Sequence, residues 1–187
     1  MIKLNRDQKL TYKFLIIPIA LLILSFNPYT ESLEFSLPAV YMASHYAVYF
    51  SGLYIGYKYF KGGYISLILG LIPAVLWHSP YFFSLGAAML DYRILLEITL
   101  LFGGVLLGSS INSMRLQIKI TLLALWMLGD SILAILFITS TPLYSNLAYP
   151  FSPYTPSSLP LAGILMFVIM NVFLIYVISK FMKSIIG

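Results

Sequence analysis

Six apolar runs, separated by short polar or proline-rich breaks, set the pattern of this chain. They cover about 14–28, 38–57, 64–83, 93–111, 120–140 and 159–179. A helix rising about 1.5 Å per residue needs about 20 apolar residues to cross a hydrocarbon core of about 30 Å, and every run after the first is close to that length. The first is shorter. Pro18 near its start is tolerable in a membrane helix, where neighbouring groups satisfy the freed backbone. The pattern predicts an all-α, polytopic membrane protein of six transmembrane helices, built as a single helical domain over 1–187.

The charged positions lie mostly in the breaks and orient the spans. One side collects Lys3, Arg6, Lys9, Lys13, Lys58, Lys61, Arg115, Lys119, Lys180 and Lys183. The other carries Arg93 as its one basic residue, with Glu31, Glu34 and Asp91. Cytoplasmic segments are enriched in Lys and Arg, so both termini are expected in the cytoplasm of a multi-pass protein of the cell membrane. The basic start followed by an apolar run is like a signal peptide. The poor small-x-small pattern, with Pro28 and Glu31 directly after it, favours an uncleaved first span. The segment 141–158, TPLYSNLAYPFSPYTPSS, becomes the longest outer loop. Its four prolines and three tyrosines predict an ordered, irregular cap that covers helix ends or meets a partner.

Composition agrees with the pattern and removes several function classes. The chain is 60% hydrophobic and 9% charged, whereas a soluble domain carries roughly a quarter charged residues. Its formal charge of +5 sits beside apolar runs and not in a patch, which excludes nucleic acid as a partner. The absence of cysteine excludes disulfides, thiolate metal sites, iron–sulfur clusters and C-x-x-C-H haem attachment. The usage of Ile, Leu, Tyr and Ser without Cys has an archaeal look.

Candidate chemistry concentrates in 38–81, read as a helical hairpin with a short basic turn. It holds both histidines of the chain. Counted from Lys61, His45 lies 16 residues back and His78 lies 17 residues on, so in two helices both imidazoles reach one depth, about 25 Å from the turn. Pro73 is expected to bend the second arm. Gly52 with Gly56, and Gly104 with Gly108, form two G-x-x-x-G pairs that permit close helix approach. Ionisable residues within spans are costly unless paired or functional. Glu97 falls near the histidine depth, Asp91 is the expected partner of Arg93, and Asp130, beside Ser131, falls near the midplane.

Two histidines and a carboxylate at one level suit a metal, a proton donor or a quinone. Met42, three residues before His45, shares its helix face, and a thioether beside imidazoles favours Cu(I). The alternatives are core packing for Met42 and hydrogen-bonded interfacial histidines for the pair. Haem b fits less well, because hairpin helices pack with axes about 8–10 Å apart, and a chain without any cofactor is the remaining case.

Trp77-His78-Ser79-Pro80, then Leu95-Leu96-Glu97-Ile98 and Phe102-Gly103-Gly104, resembles the W-H-x-P…L-x-E-H…F…G pattern of the CtaG-like membrane proteins. Ser44-His45-Tyr46 is similar to that family's H-x-x-x-H-x-L segment. The resemblance covers about 40–110. It implies a role in copper supply during assembly of haem–copper terminal oxidases, with His45 and His78 as copper ligands and Glu97 as the accompanying acid. Tyr41 and Ile98 stand where the family pattern has further histidines. The expected function is a non-catalytic accessory or assembly subunit of a membrane respiratory complex, embedded in lipid against larger membrane subunits. The alternatives are a small transporter, for which Asp130 is the cue, or a purely structural subunit. Catalysis by this chain alone is not expected, since it has neither a nucleotide-binding loop nor a nucleophile–base pair.

Overall fold

A computed structural model describes residues 2–5 and 12–186. Arg6 and Lys9 of the basic flank lie outside the described residues, as do the side chains of Lys180 and Lys183. Among the described residues there are eight α-helices: α1 Lys13–Ser25, α2 Pro28–Glu34, α3 Pro38–Tyr59, α4 Tyr64–Trp77, α5 Pro80–Ala88, α6 Leu90–Ser110, α7 Leu116–Ile138 and α8 Leu159–Ile186. Two two-residue strands, β1 Lys3–Leu4 and β2 Phe60–Lys61, pair antiparallel.

Proline positions explain the interruptions. Pro28, Pro38 and Pro80 each open a helix, where the missing N–H costs nothing and the fixed φ is already helical. Asn27 caps α2 by accepting from the amides of Tyr29 and Thr30 at 3.1 and 3.0 Å. The expected third span, 64–83, is broken. α4 ends at Trp77, Pro80 forces Ser79 to an extended ψ of 146°, and α5 leaves at 73° to α4. The bend expected at Pro73 therefore sits at Ser79, while Pro73 stays inside α4. The first run is broken likewise, with α1 and α2 meeting at 58°.

Three helical stretches, Leu90–Ser113, Leu116–Ile138 and Pro156–Ser179, are long and apolar enough to cross a membrane, or five if each bent pair is one span. The 22-residue α3 is long enough but too polar along its length, because tyrosines, serines, glycines and His45 interrupt it. It is also the central element, packed on α1, α2, α6 and α8.

The molecule exposes apolar side chains over much of its surface and encloses its ionisable groups within an apolar core. Ile65, Ile68 and Ile72 of α4, Leu128 and Ile132 of α7, and Val168 and Val172 of α8 are exposed, whereas Glu34, His45, Arg93, Glu97 and Asp130 are buried. Such extensive apolar exposure is foreign to a water-solvated surface and suits an apolar surround.

The arms of the expected hairpin do not pack tightly on each other. Instead α6 packs along both α3 and α4. The two G-x-x-x-G pairs make this close approach, because a Cβ on Gly56 would fall on the Val105 carbonyl and one on Gly108 would fall on the Leu53 carbonyl. At one end of the bundle the first residues, the α3–α4 turn and the end of α6 are tied together. Asn5 donates to the Tyr59 carbonyl at 2.8 Å, Gly62 to Ser109 at 2.8 Å, and Ser113 to Gly62 at 2.8 Å. Lys3 pairs with Lys61 in the strand register, and the Lys58 ammonium lies 3.8 Å above the Phe14 ring.

Candidate functional site

His45 and His78 meet at the other end of the bundle. Their ring centroids are 5.6 Å apart and the planes are inclined by 72°, as equal depth on two helices requires. α3 positions His45, and the last turn of α4 positions His78. Nδ1 of His78 lies 2.5 Å from the Ala74 carbonyl. A carbonyl only accepts, so Nδ1 carries the proton and Nε2 keeps its lone pair. Neither nitrogen of His45 has a partner, although the residue is 3% exposed. Tyr41, one turn before His45, stacks edge-on at 4.1 Å. Met42 is fully buried on the same stretch of α3.

Glu97 belongs to a different group. It is gathered with Glu31 and Glu34, with one carboxylate oxygen of each lying within 4.8 Å of the others, a grouping of three acidic or imidazole ligands that the described residues do not repeat. Arg93 stands one turn before Glu97 on α6 and is fully buried. Its guanidinium is 3.7 Å from Glu31 and 3.6 Å from Glu34. The expected Asp91–Arg93 pair is not what forms, because residues two apart on a helix point to different faces. The hydrogen bonds of Arg93 go to backbone carbonyls: Nε to Gly86 at 3.1 Å, Nη2 to Ala87 at 2.6 Å and Nη1 to Glu31 at 3.2 Å. Two of these are the last carbonyls of α5, the negative end of its dipole. The Phe35 ring covers the guanidinium at 3.8 Å, and Tyr41 lies 5.3 Å from it on the way to the histidines.

Glu31 and Glu34 are the site residues that the sequence reading missed as a pair. Their spacing of three on the capped α2 puts them on one helix face, and Arg93 and Glu97, four apart on α6, share another. That spacing was the available signal. It was hidden because 28–34 reads as a loop between spans.

The segment 141–158 closes this end. Tyr144 donates to the His78 carbonyl at 3.0 Å, and Tyr154 donates to the Glu34 carbonyl. Their rings pack on Phe83, at 5.4 and 5.9 Å between centroids. Burial pushes the Tyr144 hydroxyl up to about 12, with Tyr149 adding to the shift, and burial likewise raises the Tyr154 hydroxyl well above its ordinary value. Both hydroxyls therefore remain donors at any physiological pH.

Asp130 is apart from both clusters. It accepts from the Tyr46 hydroxyl at 2.5 Å, tying α7 to α3, and its second oxygen has no partner. A recess of about 380 Å³ is lined by Leu21, Ala39, Ala43, Ala47 and Leu165, among others. It is apolar and holds none of the imidazoles or carboxylates.

These features define a helical protein with an apolar exterior, membrane-length helices, and imidazole and carboxylate groups enclosed at one end. The chain belongs to the DUF1404 family, described as a protein of unknown function, whose model matches residues 16–184. Searches of curated proteins and of solved structures return no match.

Proposed function

We propose that this chain is a six-span protein of the cell membrane, with both termini in the cytoplasm, that handles copper at its outer end. It serves there as a non-catalytic accessory or assembly subunit of a respiratory, haem–copper oxidase-type complex. The observation that carries the metal reading is the facing pair of imidazoles, His45 buried and His78 half-buried. One has a free lone pair at Nε2, and the other has two nitrogens without partners. Burying such nitrogens without hydrogen bonds costs roughly 1–3 kcal/mol each, a cost that a shared ion would offset. Two imidazoles with Met42 nearby are a donor set for Cu(I). The resemblance of 40–110 to the CtaG-like proteins supplies the respiratory assignment.

In this reading Glu97 does not ligate the copper. It acts at a distance, through Arg93 and Tyr41. Transport is the weaker alternative, because its cue, Asp130, is held by Tyr46 between two helices.

The test is a titration of the purified full chain with Cu(I) under a competing chelator, together with metal analysis and an optical spectrum. We expect one copper per chain, lost in both His45→Ala and His78→Ala, and no haem absorption. A wild-type chain that takes up no Cu(I), or a His45→Ala chain that binds like wild type, would overturn the copper reading. Co-purification from native membranes tests the partner. Haem–copper oxidase subunits are expected in the eluate, and a solitary chain would remove the respiratory assignment.

A further inference from the structure

We infer that Glu31, Glu34 and Glu97 form a second site, for a hard divalent cation of the calcium or manganese class, separate from the histidine pair. Three carboxylates face one guanidinium, so full ionisation leaves −3 + 1 = −2 in a buried cluster. An uncompensated charge in such surroundings is strongly disfavoured, because the lost hydration is not replaced. The excess has to be met by protons or by a cation.

The disposition of the oxygens favours the cation. Arg93 faces the Oε2 atoms of Glu31 and Glu34, but its N–H groups are directed at the carbonyls of Gly86, Ala87 and Glu31. It neutralises them without donating to them; Ser44 is a side-chain partner of Glu34 and Glu31 one of Glu97, which leaves one oxygen on each of Glu34 and Glu97 untaken. Oε1 of Glu34 and Oε1 of Glu97 have no hydrogen-bond partner, although the two residues are 1% and 6% exposed. These are buried acceptors without donors, in a group whose ligand oxygens converge within 4.8 Å. Ions of this class are bound at about 2.0–2.6 Å by carboxylate and carbonyl oxygen, which matches that spacing. A dication brings the cluster to neutrality.

The donor set also fixes the class. It contains oxygen and neither sulfur nor imidazole, so it selects against Cu(I). The Glu31 side chain is 23% exposed and opens the cluster to the surface, while Glu34 and Glu97 form its floor. The ligands come from α2 and α6, so a bound ion would clamp the short α2 to the core. The Tyr154 hydroxyl on the Glu34 carbonyl places the loop 141–158 on the same clamp.

The experiment uses the full chain purified in detergent at neutral pH after exhaustive chelation, with Mn²⁺ as an electron-paramagnetic-resonance probe and Ca²⁺ as its competitor. The expected result is one Mn²⁺ per chain, displaced by Ca²⁺. Binding should be at least ten-fold weaker in Glu31→Gln and in Glu97→Gln, and unchanged in His45→Ala. Glu31→Gln, at the partly exposed position, keeps the test valid if Glu97→Gln does not fold. A wild-type chain that binds neither ion at millimolar concentration overturns the inference and assigns the excess charge to protons. Unchanged binding in Glu31→Gln overturns it by placing the ion elsewhere, and so does equal loss in His45→Ala. Because the copper reading rests on His45, His78 and Met42, none of which belongs to the carboxylate cluster, either site can fail without the other.

Discussion

The Tyr46–Asp130 contact shows how one residue pair sets the polarity of the interior. Asp130 is 9% exposed, its Oδ1 accepts from Tyr46 at 2.5 Å, and its Oδ2 has no partner. Hydrogen bonds to charged groups contribute about 1.5–3 kcal/mol, and a buried acceptor stripped of its donor carries the desolvation cost as well. Tyr46→Phe should therefore destabilise the chain by about 2 kcal/mol. Asp130→Asn, which keeps an acceptor for Tyr46 and removes the charge, should cost less. Thermal unfolding in detergent, followed by the fluorescence of Trp77 and Trp126 together, orders the two variants; equal stability of Tyr46→Phe and wild type would remove the pair from the account. The neighbouring rings are suited to report it, since Trp126 packs on Phe50 and Phe173 at 6.2 and 5.3 Å, and Phe50 stacks on Tyr46 at 6.1 Å. Asp130 was legible in the sequence as a costly midplane acid. Its partner was not, because 84 residues separate them and nothing local links α3 to α7.

At the scale of elements, α6 is the spine on which the site is hung. Its first turns carry Arg93 and Glu97, and its later turns insert between α3 and α4. A leucine at Gly108 would drive a branched side chain into the Leu53 carbonyl and the Tyr57 amide of α3. Overpacking of this kind costs about 1–3 kcal/mol, and here it would also lever α3 from α6 and move His45 relative to His78. Gly108→Leu should lower the melting temperature and weaken binding at both clusters, while Gly63→Leu, whose Cβ would meet nothing within 4 Å, should do neither. Equal effects of the two changes would show that glycine content, and not the close approach, governs stability. The helices themselves were readable from runs of apolar residues, and the G-x-x-x-G pairs from their spacing. Their mutual pairing was not, because the same spacing permits either pair to pack on any helix. The third span illustrates the other limit. Its apolar run resumes at Tyr81 after only three interrupting residues, His78, Ser79 and Pro80, so hydropathy averaged over a span reads one helix. The steric effect of Pro80 on Ser79 makes two, and the resulting elbow delivers the His78 carbonyl to Tyr144.

For the whole molecule, the charges divide between two ends. Lys3 and Lys61 sit at the strand-bound end, with the α3–α4 turn and the end of α6 tied to it, and the acidic cluster with Arg93 sits at the other. Each end carries charge that a hydrocarbon layer would not accept, and the exposed belt between them is Ile, Leu and Val. The positive-inside rule counts lysines and arginines near span ends, so the proposed topology puts the strand-bound end in the cytoplasm and expects the histidines, the carboxylates and the loop 141–158 outside. The lack of cysteine makes this directly measurable, because any introduced thiol is the only one. Gly63→Cys sits in the α3–α4 turn, where a side chain meets open space. Ser157→Cys sits exposed in the loop before α8. In intact cells a membrane-impermeant maleimide should label Ser157→Cys fully, and should label Gly63→Cys at least ten-fold less until the membrane is permeabilised. The reverse pattern would invert the protein, put both clusters on the cytoplasmic side and overturn the proposed outer-facing copper site. Labelling of both in intact cells would deny that the bundle crosses the membrane between these points, and the apolar belt would then have to be covered by protein instead of lipid.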